Sequence, residues 1–258
     1  MPTVKDVESF LFDFAPKELA MDWDNVGLLV GAPENKIKSV LVALDVTEGV
    51  VDEAIASGAD LIVAHHPLMN CKWSPVQNVR FDRPQGRVIA KLLRHGMSAI
   101  CMHTNLDCTK GGVNDALARA LGLTKISEFS PDGLGRIGYL PEEMKPESFA
   151  AFVKDTLEAK GVRYVSNGRP VKKVAVGGGA CGEFVPLALE KGCDAFVTAD
   201  LSYHEFLDAK ALGATVIDAG HFPTEDVVCS VLVKKLKGKY PRLKVKKSAS
   251  HVEVINYI

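Results

Sequence analysis

Part of this chain repeats itself. "KSVLVAL…GADLIVA" (38–64) lies on "KKVAVGG…GCDAFVT" (172–198) without a gap, at an offset of 134 residues. Eight of the 27 aligned positions are identical: Lys38, Val40, Val42, Val51, Ala54, Gly58, Asp60 and Val63, with their counterparts. Each copy reads as a buried apolar strand, a helix closed by a glycine, and a second buried strand. Parallel strands need such a crossover between them. The repeated unit is therefore βαβ, the chain is α/β, and the gapless register points to duplication.

Around this repeat, Thr3 caps a helix over "VKDVESFLFDF", while Thr47 opens and Gly58 closes the helix of the first copy. Apolar periodicity predicts further helices over 86–94, 113–121, 183–191, 201–212 and 223–237. It predicts strands over 97–102, 172–176, 194–197, 214–218 and 252–257. Residues 67–84, with three prolines and Trp73, read as loop. The expected organisation is a first α/β repeat over 1–125, a connector over 126–170 and a second repeat over 171–258. The connector shows strands near 133–140 and 161–166 and a helix after Pro146.

Composition narrows the function classes. The 258 residues, 47% hydrophobic and 24% charged, are ample for a buried core. A formal net charge of -1 argues against nucleic acid and against an anionic membrane as partner. The one basic stretch, 234–247, reads as a solvated helix face and strand. None of the six cysteines forms a C-x-x-C pair, so neither a disulfide framework nor a thiolate zinc site is indicated. No apolar run nears the roughly 20 residues that span a bilayer. "MPTVKDVESF" lacks the basic-then-apolar pattern of a secretory leader. These features lead to an expected cytoplasmic location.

The chemistry gathers at strand ends. "DLIVAHHPL" (60–68) runs a buried strand into two adjacent histidines. His103-x-x-x-Asp107 and His221-x-x-x-Glu225 each follow another strand and match each other at an offset of 118. Four of the seven histidines thus fall at three strand ends, together with two carboxylates. Ligand crevices of open α/β sheets lie at that end. Imidazole and carboxylate without thiolate suit a divalent ion such as zinc, manganese, iron or nickel. A bridging carboxylate flanked by histidines can hold two ions about 3.5–4 Å apart. His95 reads as a helix C-terminal residue facing the dipole, and His251 carries no signal. Asp200 falls on the repeat position of His66 and His204 follows shortly after it, and both readings stay open: substrate contacts or proton-transfer groups, or a helix cap and an exposed helix histidine. Gly177–Gly182 fits G-x-G-x-x-G and could hold a phosphate on its amides, or it could be a tight turn.

The stretches "WDNVGLLVG" (23–31), "ALDVT" (43–47), "DLIVAHHPL" (60–68), "HTNLD" (103–107), "GGVNDALA" (111–118) and "GHFPTE" (220–225) resemble the Nif-three-like family. Many members of that family carry the label GTP cyclohydrolase 1 type 2 homologue. The resemblance implies two intertwined α/β repeats with mixed, mostly parallel sheets, in the compact form without an inserted domain. It implies two divalent metal ions per chain, with His65 and Asp107 on one, His66 and His221 on the other, and Glu225 bridging. It also implies a toroidal homohexamer and a small-molecule substrate of nucleotide type. In the implied reaction, metal-activated water opens the guanine ring at C8 and formate is lost. His103 and His204 are the proton-transfer candidates. Two other readings remain: a metal-dependent phosphoesterase, and a metal-holding scaffold or trafficking protein without turnover.

Overall fold

The molecule, a computed structural model, is described over residues 1–69 and 78–258. Cys71, Trp73 and Pro75 of the expected loop lie outside the described residues. The chain divides into two units. The first takes Met1–Thr109 and Cys229–Val252; the second takes Lys110–Val228 and Glu253–Ile258.

The first unit opens with α1 (Val4–Phe14), fixed by a capping box in which Thr3 and Asp6 bond each other's backbone amides. Its sheet holds β1 (Gly27–Val30), β2 (Ser39–Ala43), β3 (Leu61–Ala64), β4 (Ser98–Cys101) and β11 (Lys244–Lys247), in the order β1-β4-β3-β2-β11. Only the β1–β4 pairing is antiparallel. The inner strands are short apolar runs buried on both faces, as parallel strands require. On one face, Val50, Val51 and Ala54 of α2 (Glu48–Ser57) and Val88, Ile89 and Leu92 of α3 (Pro84–Arg94) share a core with Leu41, Ile62 and Ala99. His95 is the C-cap of α3, as its position predicts. A short helix, α4 (Thr104–Cys108), follows β4.

The second unit begins with α5 (Val113–Ala120), β5 (Thr124–Glu128), β6 (Arg136–Met144), α6 (Pro146–Thr156) and β7 (Arg163–Val165). It continues with β8 (Val171–Ala180), α7 (Val185–Glu190), β9 (Ala195–Ala199), α8 (Tyr203–Ala211), β10 (Val216–Asp218) and α9 (His221–Glu225). Its six strands lie in the order β5-β6-β8-β9-β10-β7. The 126–170 segment thus supplies two strands of this sheet. Strand residues alternate between two cores. Val174, Val176, Val197 and Ile217 join Leu117 of α5 and Phe149 of α6, whereas Ala175, Phe196 and Val216 join Val185 of α7 and Ala209 of α8. Helices therefore cover both faces. A last helix, α10 (Val227–Lys239), returns the chain to the first unit.

Three of the repeat's identities have matching physical reasons. Asp60 accepts from the amides of Lys38 and Ser39, and Asp194 accepts from those of Lys172 and Lys173. Gly58 and Gly192 both stand at φ 66°, the left-handed conformation that ends a helix most cheaply on glycine. Ala54 and Ala188 each accept from the amide five residues on.

The strand expected over 252–257 does not form. The final parallel strand is β11, in register with Ser39–Val42, and Val245 is its one core residue. The apolar alternation of 252–257 stays uncovered, with Val254 81% exposed. Described helices include none long and apolar enough to cross a membrane, and the five described cysteines are all buried.

Arg136 anchors the second unit from inside. Its guanidinium lies 2.6 Å from the Asp115 carboxylate and donates to the carbonyls of Gly133 and Gly135, with both side chains buried. Arg136→Met should cost about 3–5 kcal/mol in urea unfolding, because Asp115 stays buried without its main counter-charge. A loss under about 1 kcal/mol would show that the pair is dispensable.

Candidate metal centre

Side chains on successive strand residues point to opposite faces, so two adjacent histidines would normally diverge. Here β3 ends at Ala64. The amides of His65 and His66 both donate to one carbonyl, that of Leu44, which bends the chain away from strand geometry. The two rings consequently lie with centroids 4.9 Å apart. His103 joins them from the end of β4, with its ring 5.1 Å from His65 and 5.7 Å from His66. These three residues offer ring nitrogens within 4.8 Å of one another and could hold a metal ion.

Each of the three rings is fixed through Nδ1. His65, fully buried, donates from Nδ1 to the Met102 carbonyl at 2.8 Å. His66 Nδ1 lies 2.8 Å from Asp45 Oδ1, and His103 Nδ1 lies 2.9 Å from Asp24 Oδ2. An oxygen acceptor at Nδ1 places the proton there and presents Nε2 as the donor atom, the arrangement that supports metal-ligating histidines. The carboxylates are held ionised. Burial pushes Asp24 up, but hydrogen bonds from His103 and Thr104 outweigh it and its pKa falls to about 2. Burial likewise works against Asp45, and bonds from His251 and His66 drive it well below the usual carboxylate range. Asp107, one turn along α4 from His103, brings Oδ1 to 3.6 Å from His65 Nε2. That gap exceeds a hydrogen bond and leaves two donors side by side.

The second unit carries a smaller set. Gly220, at φ 86°, turns the chain from β10 into α9. The i, i+4 spacing then stacks His221 and Glu225 on one face, with Nε2 to Oε2 at 3.0 Å. His221 Nδ1 lies 2.6 Å from Asp200 Oδ2. Burial opposes protonation of His221, but Asp200 and Glu225 more than compensate and push its pKa up to about 11. Asp200 holds a left-handed φ of 57° just past β9, a conformation open to Asp more than to most residues. It is not the cap of α8; Ser202 is, in a capping box with Glu205. His204 stands on the exposed side of α8, edge-on to Tyr203.

The glycine-rich turn is not a phosphate cradle. The amides of Gly178, Gly179 and Cys181 are taken by the side chains of Asn114, Thr224 and Thr198. A Cβ on Gly179 would stand 2.2 Å from Glu225 Oε1, and one on Gly178 would stand 3.3 Å from Glu225 Cγ. The glycines make room for a buried carboxylate.

Sequence reading singled out His65, His66, His103, Asp107, His221 and Glu225. It missed the orienting carboxylates Asp24 and Asp45, although both stand inside stretches already singled out, "WDNVG" and "ALDVT". It also passed over His251, whose Nε2 lies 2.9 Å from Asp45 Oδ2. The donor set fits a divalent transition ion by its chemistry: imidazole Nε2 and carboxylate oxygen, no thiolate, with each ring pre-set by an oxygen behind it.

A sequence profile described as Duf34/NIF3 (NGG1p interacting factor 3) matches residues 2–254. A Clostridium acetobutylicum protein named GTP cyclohydrolase 1 type 2 homolog is 35% identical over 243 residues, covering 91% of this chain and 90% of its own length. A Clostridium perfringens protein of the same name is 36% identical over 241 residues, covering 91% of each. The crystal structure of a Bacillus cereus protein related to NIF3 superposes with a TM-score of 0.94 at 29% identity, covering 100% of this chain and 99% of the other. With the profile spanning nearly all of it, the chain belongs to the Duf34/NIF3 family.

Proposed function

We propose that this protein is a divalent-metal-dependent hydrolase of the GTP cyclohydrolase 1 type 2 kind, using both donor sets to hold two ions. The observation that carries this reading is that His65 and His66 have Nδ1 fixed by an oxygen, so that each presents Nε2 as a ligand atom, while Asp24 fixes His103 in the same way and Asp200 fixes His221, whose Nε2, now against Glu225, would have to shed its proton to bind an ion. In the proposed assignment His65 and Asp107 serve one ion, His66 and His221 the other, and Glu225 bridges. Family membership supports this assignment, and so does the name shared by the curated relatives. When bound, such ions lower the pKa of water towards neutrality and supply the nucleophile for ring opening.

The chain's own residues supply the proton transfer. His103 holds its proton on Nδ1 against Asp24, so Nε2 is the atom that accepts a proton from attacking water and later returns it. Asp24, held ionised, stabilises the imidazolium formed in between. His103 is preferred to His204 for this role because it is buried among the other rings, whereas His204 faces solvent. The reading extends to a cytoplasmic homohexamer, for which light scattering should return six times the 27.8 kDa of one chain.

The decisive experiment measures metal content on untagged protein beside formate release from GTP. Two ions per chain with formate is the expected result. Two ions without formate discards GTP and turns the search to phosphoesters, or to a scaffold role if those also fail. No metal after soaking in zinc, manganese and iron overturns the reading.

Two substitutions sharpen it. Glu225→Gln should lower bound metal from two ions per chain towards one in elemental analysis; two ions at unchanged affinity would remove the bridge. His103→Ala should keep most of the metal but slow turnover by roughly 100-fold or more. Unchanged turnover would take the proton-transfer role away from His103.

A further inference from the structure

His251 lies far along the chain from every other histidine of the centre, yet it reaches one of them through a single carboxylate. Asp45 Oδ1 is 2.8 Å from His66 Nδ1 and Asp45 Oδ2 is 2.9 Å from His251 Nε2. Both oxygens of one carboxylate are thus engaged by imidazole. With His66 alone, the carboxylate could turn about its own axis and release the ring. A second donor on the other oxygen closes that motion.

His251 is itself held. The turn after β11 is gathered on Glu53 of α2, whose Oε2 accepts from Ser248 Oγ at 2.5 Å, Ser250 N at 3.0 Å and Ser250 Oγ at 2.7 Å. Glu53 Oε1 accepts from Ala249 N at 3.0 Å. The Ser248 amide donates to Val42 at the end of β2, and the His251 amide donates to Ser248 Oγ at 3.2 Å. One glutamate therefore shapes three consecutive residues so that the next delivers its imidazole onto Asp45.

We propose that His251 is a positioning residue for His66, acting through Asp45, and that Glu53 sets His251 in place for that task. The metal-binding half of this inference rests on the proposed function, whereas the orientation of the His66 ring does not. On this reading the turn at 248–251 belongs to the support of the metal centre although it supplies no ligand. Orienting groups of this kind are worth roughly 10–100-fold in metal affinity.

The test uses the full chain without metal and reads two quantities. The first is the histidine-ring NMR signal of His66, which should show a proton on Nδ1 protected from exchange. The second is zinc affinity by competition with a chromophoric chelator. His251→Ala should lose the protected proton and weaken zinc binding by roughly 10-fold or more. His251→Gln, which keeps an N–H donor for Asp45, should restore both to within a few-fold. Glu53→Ala should reproduce the His66 signal change with His251 intact. An unchanged His66 signal in His251→Ala overturns the inference. So does a loss that glutamine fails to rescue while apo melting falls equally in both variants. Should the unsubstituted protein bind no zinc while His251→Ala still releases the His66 proton, the metal reading fails and the positioning role stands.

Discussion

An oxygen atom behind Nδ1 is the interaction on which each of the two donor sets depends. A neutral imidazole has one donor and one acceptor nitrogen, and the partner of the first decides where the second points. Met102, Asp45, Asp24 and Asp200 supply that oxygen to His65, His66, His103 and His221. Three of these partners are placed by regular structure: Met102 follows β4, Asp45 follows β2 and Asp200 follows β9. The sheets do not provide candidate ligands directly. They provide rigid points from which acceptors fix the candidate rings, and a site built that way would lose little ordering entropy on taking up an ion.

The two halves of the repeat diverge where chemistry replaces packing. The shared positions hold turns and helix ends: Asp60 and Asp194 on strand-start amides, Gly58 and Gly192 at helix ends. At the same offset of 134, His66 corresponds to Asp200 and Asp45 corresponds to Gly179. In the first half the carboxylate behind the ring stands after the first strand of the copy and the ring after the second. In the second half the carboxylate takes the ring's place and orients an imidazole brought by α9. The first-strand position must then be glycine, because a Cβ there would strike the Glu225 carboxylate. One scaffold therefore carries a candidate ligand in one copy and the support of a candidate ligand in the other.

Much of the scaffold was legible because the signals are local. Thr3, Thr47 and Gly58 mark helix ends through bonds that span a few residues, and the inner strands are plain apolar runs. The candidate ligand residues were legible as well, since His65-His66, His103/Asp107 and His221/Glu225 sit at strand ends in recognisable spacing. What escaped was long-range. Asp45 meets His66 across 21 positions, Asp24 meets His103 across 79, and His251 meets Asp45 across 206. No periodicity joins residues so far apart. The strand misplaced at 252–257 failed for a related reason. Alternation predicts a strand only where a sheet covers one face, and the edge beside β2 is taken by the less apolar "KVKK" of β11.

The glycine-rich turn shows how a pattern can be right in place and wrong in purpose. Gly177–Gly182 runs from the end of a strand into helical residues, close to the context in which such glycines present amides to a phosphate. That use requires amides pointing outward, and here Asn114, Thr224 and Thr198 occupy three of them. What remains is the other property of glycine, the absence of a side chain. Glu225 is 4% exposed and needs a pocket whose wall approaches its oxygens more closely than any Cβ permits. Thr224, which takes the Gly179 amide, is the residue next to Glu225, so the same turn that makes the space also grips the helix that fills it. In this chain Gly178 and Gly179 belong to the carboxylate, and the carboxylate belongs to the imidazole beside it.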